Sequence, residues 1–172
     1  MTTATDTTNV LINDRWVTVR PIRSADSAME SGFVRNLSAA TKHYRFFCAL
    51  KELSPADISR FCDVDGPHTM AFVATVRDED REVEIGVCRY SPGSNADDRE
   101  MAVTIADAWQ HTELAKLLMD HLLISAKQYG IRQLYAVELA DNILMRNFAK
   151  TVGMAAARDP NDANQVIYSL GL

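Results

Sequence analysis

The hydrophobic pattern changes period near residue 110, and that change limits the available folds more than any other feature of the chain. Upstream, the segments 69–76, 83–90 and 99–106 are short, apolar and rich in β-branched residues, which reads as strands. A charged turn at 78–81 makes the first two a hairpin, and a polar loop at 91–98 leads to a third antiparallel strand. Downstream, Leu114, Leu117, Leu118, His121, Leu122 and Ser125 recur at helical spacing, so 113–129 forms one amphipathic helix that stops at Gly130. A strand at 133–139 follows. Strand, helix and strand between Val103 and Leu139 require a parallel crossover, expected to be right-handed. A meander that passes into a crossover builds a mixed sheet.

The flanking segments extend this frame. Residues 16–23 alternate as a strand, and Ser24 or Asp26 can cap a helix to about residue 37. Ser38 caps a short helix toward Tyr44. Ser54 followed by Pro55 opens another helix to about residue 64, with Ile58 and Phe61 or Cys62 on one face. Asn142 starts a last helix ended by Gly153, and 165–170 is the final strand. The expected fold is α/β, of α+β type, with a mixed sheet of six or seven strands, antiparallel first and parallel in its second half, flanked by about four helices. With 172 residues and 47% hydrophobic content, the chain suffices for one domain over 1–172, residues 1–10 being read as a flexible tail.

Composition narrows the partners. A net charge of −5 argues against nucleic acid, which calls for a basic face, and Arg15, Arg20 and Arg23 are read as solvated surface. No apolar run reaches the roughly 18 residues of a membrane span, and the polar N-terminus has no signal-peptide pattern, so a soluble, cytoplasmic chain without a membrane partner is expected. Cys48, Cys62 and Cys88 are odd in number and fit no zinc or redox spacing; they are read as small core residues. His43 and His68 have no paired ligand, so no metal is expected. His121, on the apolar helix face, reads as a buried, hydrogen-bonded structural residue.

Three stretches are more specific. The first is Val19-Arg-Pro-Ile-Arg23 with Asp26, then Leu37-Ser38 and Tyr44-Arg-Phe-Phe47, continued by Leu53-Ser-Pro55 and Met70-Ala-Phe-Val-Ala74. The second is Ala106-Asp-Ala-Trp-Gln-His-Thr-Glu-Leu-Ala115, and the third is Ala140-Asp-Asn142 followed by Met145, Phe148 and Gly153-Met154. In this order they resemble the GNAT superfamily of acyl-coenzyme A N-acyltransferases, in particular bacterial protein-lysine acetyltransferase modules.

The resemblance implies acetyl-CoA as co-substrate, no metal, and a small-molecule amine or a protein lysine as acceptor; a homodimer stays open. It implies cofactor contacts from Val103, Thr104 and Ile105 on the strand, from Gln110, His111, Thr112, Glu113, Leu114 and Ala115 at the turn into the helix, and from Asn142. Backbone N–H groups at such a helix start suit a pyrophosphate. Gln110 and Ala115 match the family pattern, but Glu113 stands at its central glycine and His111 at an often-glycine position. A carboxylate ~5 Å from a phosphate repels it by about 3 kcal/mol at an effective dielectric of ~20. The alternative is that Glu113 points to solvent while the amides still bind. Glu100 matches the strand glutamate that serves as general base; its other reading is a strand carboxylate paired with Arg99 or Arg89. Ala149 stands where many members carry a tyrosine acid. The two central strands are expected to splay near Ile105 and Val137. Tyr44, Phe46 and Phe47 read as core or pocket wall, and Trp109 as packing beneath the loop. The expected function is an acetyl-CoA-dependent N-acetyltransferase; the alternative is a catalytically impaired binding or regulatory domain.

Overall fold

The computed structural model describes residues 7–95 and 97–172. Its first hairpin joins β1 (Thr8–Ile12) to β2 (Arg15–Pro21) through Asn13 and Asp14, both left-handed at φ 50° and 58°. Two successive positive φ values give a turn whose twist matches its strands. Thr8, Asn9 and Val10 therefore lie in a strand rather than in a tail; residues 1–6 lie outside the described residues.

Three helices follow: α1 (Ser27–Asn36), α2 (Ala39–Phe46) and α3 (Pro55–Cys62). Ser38 caps α2 by accepting the Thr41 N–H, and Ser54 caps α3 by accepting the Asp57 N–H. Asp26 holds the cap position of α1, but its carboxylate is committed to Arg20 and to the Arg23 N–H. The meander is β3 (Met70–Asp78), β4 (Arg81–Pro92) and β5 (Asp98–Ile105). Then come α4 (Leu114–Gln128), β6 (Gln133–Leu139), α5 (Ile143–Thr151), β7 (Ala155–Arg158) and β8 (Gln165–Gly171).

Among the described residues the strands form one eight-stranded mixed sheet, in the order β1-β2-β3-β4-β5-β6-β8-β7, flanked by five α-helices. The excess over six or seven strands comes from β1 and from the edge strand β7. Only β5 and β6 pair in parallel; β8 returns antiparallel beside β6, so the second half of the sheet is not parallel as expected.

Each face of the sheet has its own core. Leu114, Leu118, Met119 and Leu122 of α4 are fully buried in a cluster with Phe72, Cys88, Tyr90 and Met101. Each such side chain contributes about 1.5–3 kcal/mol by leaving water. Gly86 permits this approach, since a Cβ there would stand 2.9 Å from Ile105 Cδ1 and 3.2 Å from Leu118 Cδ1. On the other face, Phe33, Val34, Leu37, Leu53 and Cys62 pack with Ala71, Val73 and Val87. His121 is buried and stacks on Phe72, and among the described residues its ring makes no hydrogen bond.

Three expectations about burial are corrected. Cys48 is exposed, although Cys62 and Cys88 are buried. Phe47 is exposed because it ends α2 in the left-handed conformation, φ 58°, which turns it off the helix face. Arg20 is buried, not solvated: Asp26 takes its guanidinium at 2.7 and 2.9 Å, and Glu82 accepts from Nε at 3.1 Å. Beneath α1 lies a second charged group. Glu30 is 1% exposed and pairs with Arg89 at 2.8 Å, and Glu84 is buried beside it with neither carboxyl oxygen bonded to a fixed donor. Burial and then the charge of Glu30 push Glu84 well above the usual carboxylate range.

Candidate active site

The parallel pair at the centre of the sheet is short. Asp98, Arg99 and Glu100 face Gln133, Leu134 and Tyr135, and the two strands then run on to Ile105 and Leu139 without pairing to each other. Parting thus begins earlier in both strands than Ile105 and Val137. β5 stays bonded to β4 throughout, and β6 to β8, so the gap opens between two intact halves of the sheet. A cavity of about 440 Å³ occupies this opening. Thr41, Tyr44 and Arg45 of α2 form one wall, Val103, Thr104 and Ile105 of β5 a second, and Met145 and Phe148 of α5 a third.

The loop from β5 to α4 closes one end. Asp107 organises it: its carboxylate accepts from the Ser38 N–H at 2.9 Å, the Ser38 hydroxyl at 2.6 Å and the Thr41 hydroxyl at 2.7 Å. Burial pushes this carboxyl up, but those hydrogen bonds outweigh it and leave the group below its ordinary value. Gln110 Nε2 donates to Thr41 Oγ1 at 3.1 Å and to the Ile105 carbonyl at 3.3 Å, binding the loop to the end of β5. Trp109 is buried under the loop. Asp107→Ala should cost roughly 1 kcal/mol after solvent screening, measured by urea unfolding. Because the folded-state pKa is depressed, the difference should be full at neutral pH and vanish as pH falls through the carboxylate range.

His111 lies in the left-handed region at φ 63°, which explains a preference for glycine there. Glu113 instead has φ −73° and ψ 0°, open to any residue, so its position does not require glycine conformationally. It stands at the start of α4, exposed, on the cavity rim with His111, Thr112, Ala115 and Lys116. The first-turn N–H groups of a helix lack intrahelical carbonyls. Thr112 Oγ1 takes one of them, from Leu114, at 3.3 Å.

The cavity therefore gathers Val103, Thr104, Ile105, Gln110, His111, Thr112, Glu113, Ala115 and Asn142. Leu114 is not among its lining residues; its side chain is fully buried in the core. Glu100 is exposed where β5 and β6 part, outside the lining, and its charge acts on both Arg45 and Glu138. Arg89, one of its suggested partners, is taken by Glu30. Arg99 donates to the Pro67 carbonyl.

Three charged residues of the cavity escaped the reading of the sequence: Glu138, Arg45 and Lys116, the last paired with Asp120 at 2.7 Å. Glu138, on β6, lines it and receives Asn142 Nδ2 at 3.1 Å, while Asn142 Oδ1 caps α5 through the Met145 N–H. Burial pushes Glu138 up to about 7, against the Asn142 hydrogen bond and the Arg45 charge and helped by Glu100. Arg45 is half-buried; burial and then the charge of Arg89 lower its pKa, and a guanidinium stays cationic at neutral pH. The available signal for Glu138 was a lone charge inside an apolar strand. Arg45 had none, since an arginine next to Phe46 and Phe47 reads equally well as surface.

Among the described residues no group of three His, Cys, Asp or Glu could hold a metal ion, and no helix is long and apolar enough to cross a membrane. No family model matches the chain. It is 41% identical over 162 residues to a Pseudomonas aeruginosa protein named as an acetyltransferase, covering 94% of this chain and 87% of that one. The crystal structure of the GNAT domain of Streptomyces lividans PAT superposes with a TM-score of 0.85 at 27% identity, covering 96% of this chain and 97% of that domain. A GNAT-family acetyltransferase from Streptococcus pneumoniae shares the fold, with a TM-score of 0.72 at 13% identity over 91% of this chain and 99% of that one. Parted central strands, a helix-opening loop at their end and this likeness over nearly the whole chain agree: the protein belongs to the GNAT acetyltransferases.

Proposed function

We propose that the protein transfers an acetyl group from acetyl-CoA to a primary amine, a small molecule or a protein lysine. The observation that carries this reading is the gap between β5 and β6, whose cavity gathers the unpaired stretch of β5, the residues of the loop into α4 and the carboxylates of Glu113 and Glu138. Acetyl-CoA would supply an activated acyl carbonyl. Val103, Thr104 and Ile105 would hold its arm along the unpaired edge of β5. The loop from Gln110 to Ala115 would hold its pyrophosphate, the Leu114 position through its backbone. Glu100, where β5 and β6 part, would take the proton that the amine must lose. Asn142 would act on the thiol end through Glu138, since its amide already serves that carboxylate and the α5 cap.

Calorimetry with acetyl-CoA, followed by a thiol-release assay with amines and lysine peptides, tests this. Saturable binding with amine-dependent thiol release is the expected result. Absence of both favours a regulatory domain that keeps the fold without the chemistry.

Glu113 provides a graded test. Its carboxylate on the cavity rim opposes a phosphate there, and the exposed position discounts the repulsion. Glu113→Gly is expected to tighten acetyl-CoA binding by about 1–2 kcal/mol, roughly tenfold. It should also slightly destabilise the free protein, because α4 loses an anion at its positive end. Calorimetry and thermal unfolding of the two proteins read the opposite movements. Unchanged affinity would place the carboxylate's field away from the ligand.

A further inference from the structure

We propose that Glu138 is the proton donor to the departing thiolate, making the site a two-carboxylate device with Glu100 on the amine side and Glu138 on the sulfur side. This rests on the transfer reading above. The β5–β6 register, continued past Glu100 and Tyr135, sets Glu138 level with Val103 across the gap. Glu138 lines the cavity in which the thioester would lie, whereas Glu100 is exposed at the last paired position of the two strands, outside the lining. The two carboxylates therefore have different access to water, the condition that separates an acid from a base in one site.

The groups around Glu138 suit a proton donor. Asn142 Nδ2 fixes one carboxyl oxygen at 3.1 Å and is itself held by capping α5, which leaves the other oxygen free to carry a proton. Arg45 from α2 and Glu100 from β5 act on it with opposite signs. His111, Glu113 and Lys116 line the loop end of the same cavity, and Lys116 is paired with Asp120 at 2.7 Å. With its pKa near 7, Glu138 holds a proton on a useful fraction of molecules at neutral pH. Ala149 is buried on α5 and offers no acid of its own.

The proton count closes. An ammonium acceptor loses one proton to Glu100, and its nitrogen then forms the C–N bond. As the C–S bond breaks, Glu138 gives its proton to sulfur. The second proton leaving nitrogen restores Glu138 through the cavity. Over the cycle one nitrogen proton ends on sulfur and the other in water.

The test is Glu138→Gln, which keeps the shape and still accepts from Asn142. Turnover of the wild type should fall as pH rises through about 7, as Glu138 loses its proton. The variant should lack that descending limb and be slower below it by about 10²-fold, with little change in KM. Asn142→Ser keeps a capping oxygen but removes the amide that favours the charged carboxylate, so the limb should move to higher pH. A readout free of turnover is carboxyl carbon-13 NMR of the free protein: Glu84 and Glu138 should both titrate above the ordinary carboxylate range in the wild type, and the titration near 7 that is lost in Glu138→Gln but kept in Glu84→Gln belongs to Glu138. If the wild type transfers acetyl groups but Glu138→Gln keeps its rate and pH profile, the inference is overturned. If the wild type transfers to no amine, the transfer reading falls, and this inference with it.

Discussion

Glu100→Gln is expected to lower turnover by about 10²-fold or more, a loss of general-base catalysis, while thermal unfolding stays near that of the wild type. The fold should tolerate the change because Glu100 is exposed and no side chain of the described residues hydrogen-bonds it. Glutamine preserves the strand position between Ser91 and Tyr135 but cannot take a proton. The loss should fall on kcat more than on the KM for acetyl-CoA, since Glu100 lies outside the cavity lining. Steady-state kinetics at several pH values measures it. Equal turnover in the two proteins would remove Glu100 from the mechanism and leave Glu138 as the site's main proton-handling carboxylate.

The largest stability effect is expected at Arg89. Arg89→Met should lower the unfolding free energy by about 3–5 kcal/mol, because it leaves Glu30 buried without its counter-charge. The methionine would still fill space beneath Phe61, over whose ring the Arg89 guanidinium now lies at 4.3 Å, so the loss would be electrostatic rather than a cavity. Glu84→Gln should act in the opposite direction. The folded-state pKa of Glu84 is raised, so its contribution is full below the unfolded carboxylate value and is lost as pH rises through the folded value. The variant should therefore gain on the wild type in mildly alkaline solution and lose that advantage at acidic pH. Urea unfolding across pH measures both. Arg89→Met with wild-type stability would mean that Glu30 finds another partner or a proton at little cost.

The central frame was readable because each element there carries its own signal. The meander has β-branched runs broken by charged or polar turns, and α4 shows its buried stripe of Leu114, Leu118 and Leu122 directly. Ser38, Ser54 and Asn142 each cap a helix through the side chain, as a polar residue ahead of a helical run implies. β1 was missed because the polar residues before it look like a tail, although the Asn13-Asp14 pair between alternating apolar residues is itself a hairpin signal. β7 has no such signal: three alanines form a strand only because β8 offers them an edge. At the site, the loop was legible from its resemblance, but the conformations behind the pattern were not. Only coordinates separate His111, which needs the left-handed region, from Glu113, which does not. Glu138 and Arg45 line one cavity from elements far apart in the chain, and such a tertiary neighbourhood leaves no local periodicity to read.

The short seam between β5 and β6 also governs the mechanics of the molecule. Three paired positions join a panel made of β1 to β5 to a panel made of β6, β8 and β7, and each panel is hydrogen-bonded along its full width. Backbone pairing is sparsest at the seam, where the shared core under α4 holds the panels together, so relative motion of the two panels is expected to concentrate there. A small rotation about Glu100 and Tyr135 is magnified toward Ile105 and Leu139, as at the tips of a pair of tongs. Whatever bridges those tips ties the panels together with the longest lever arm the sheet provides.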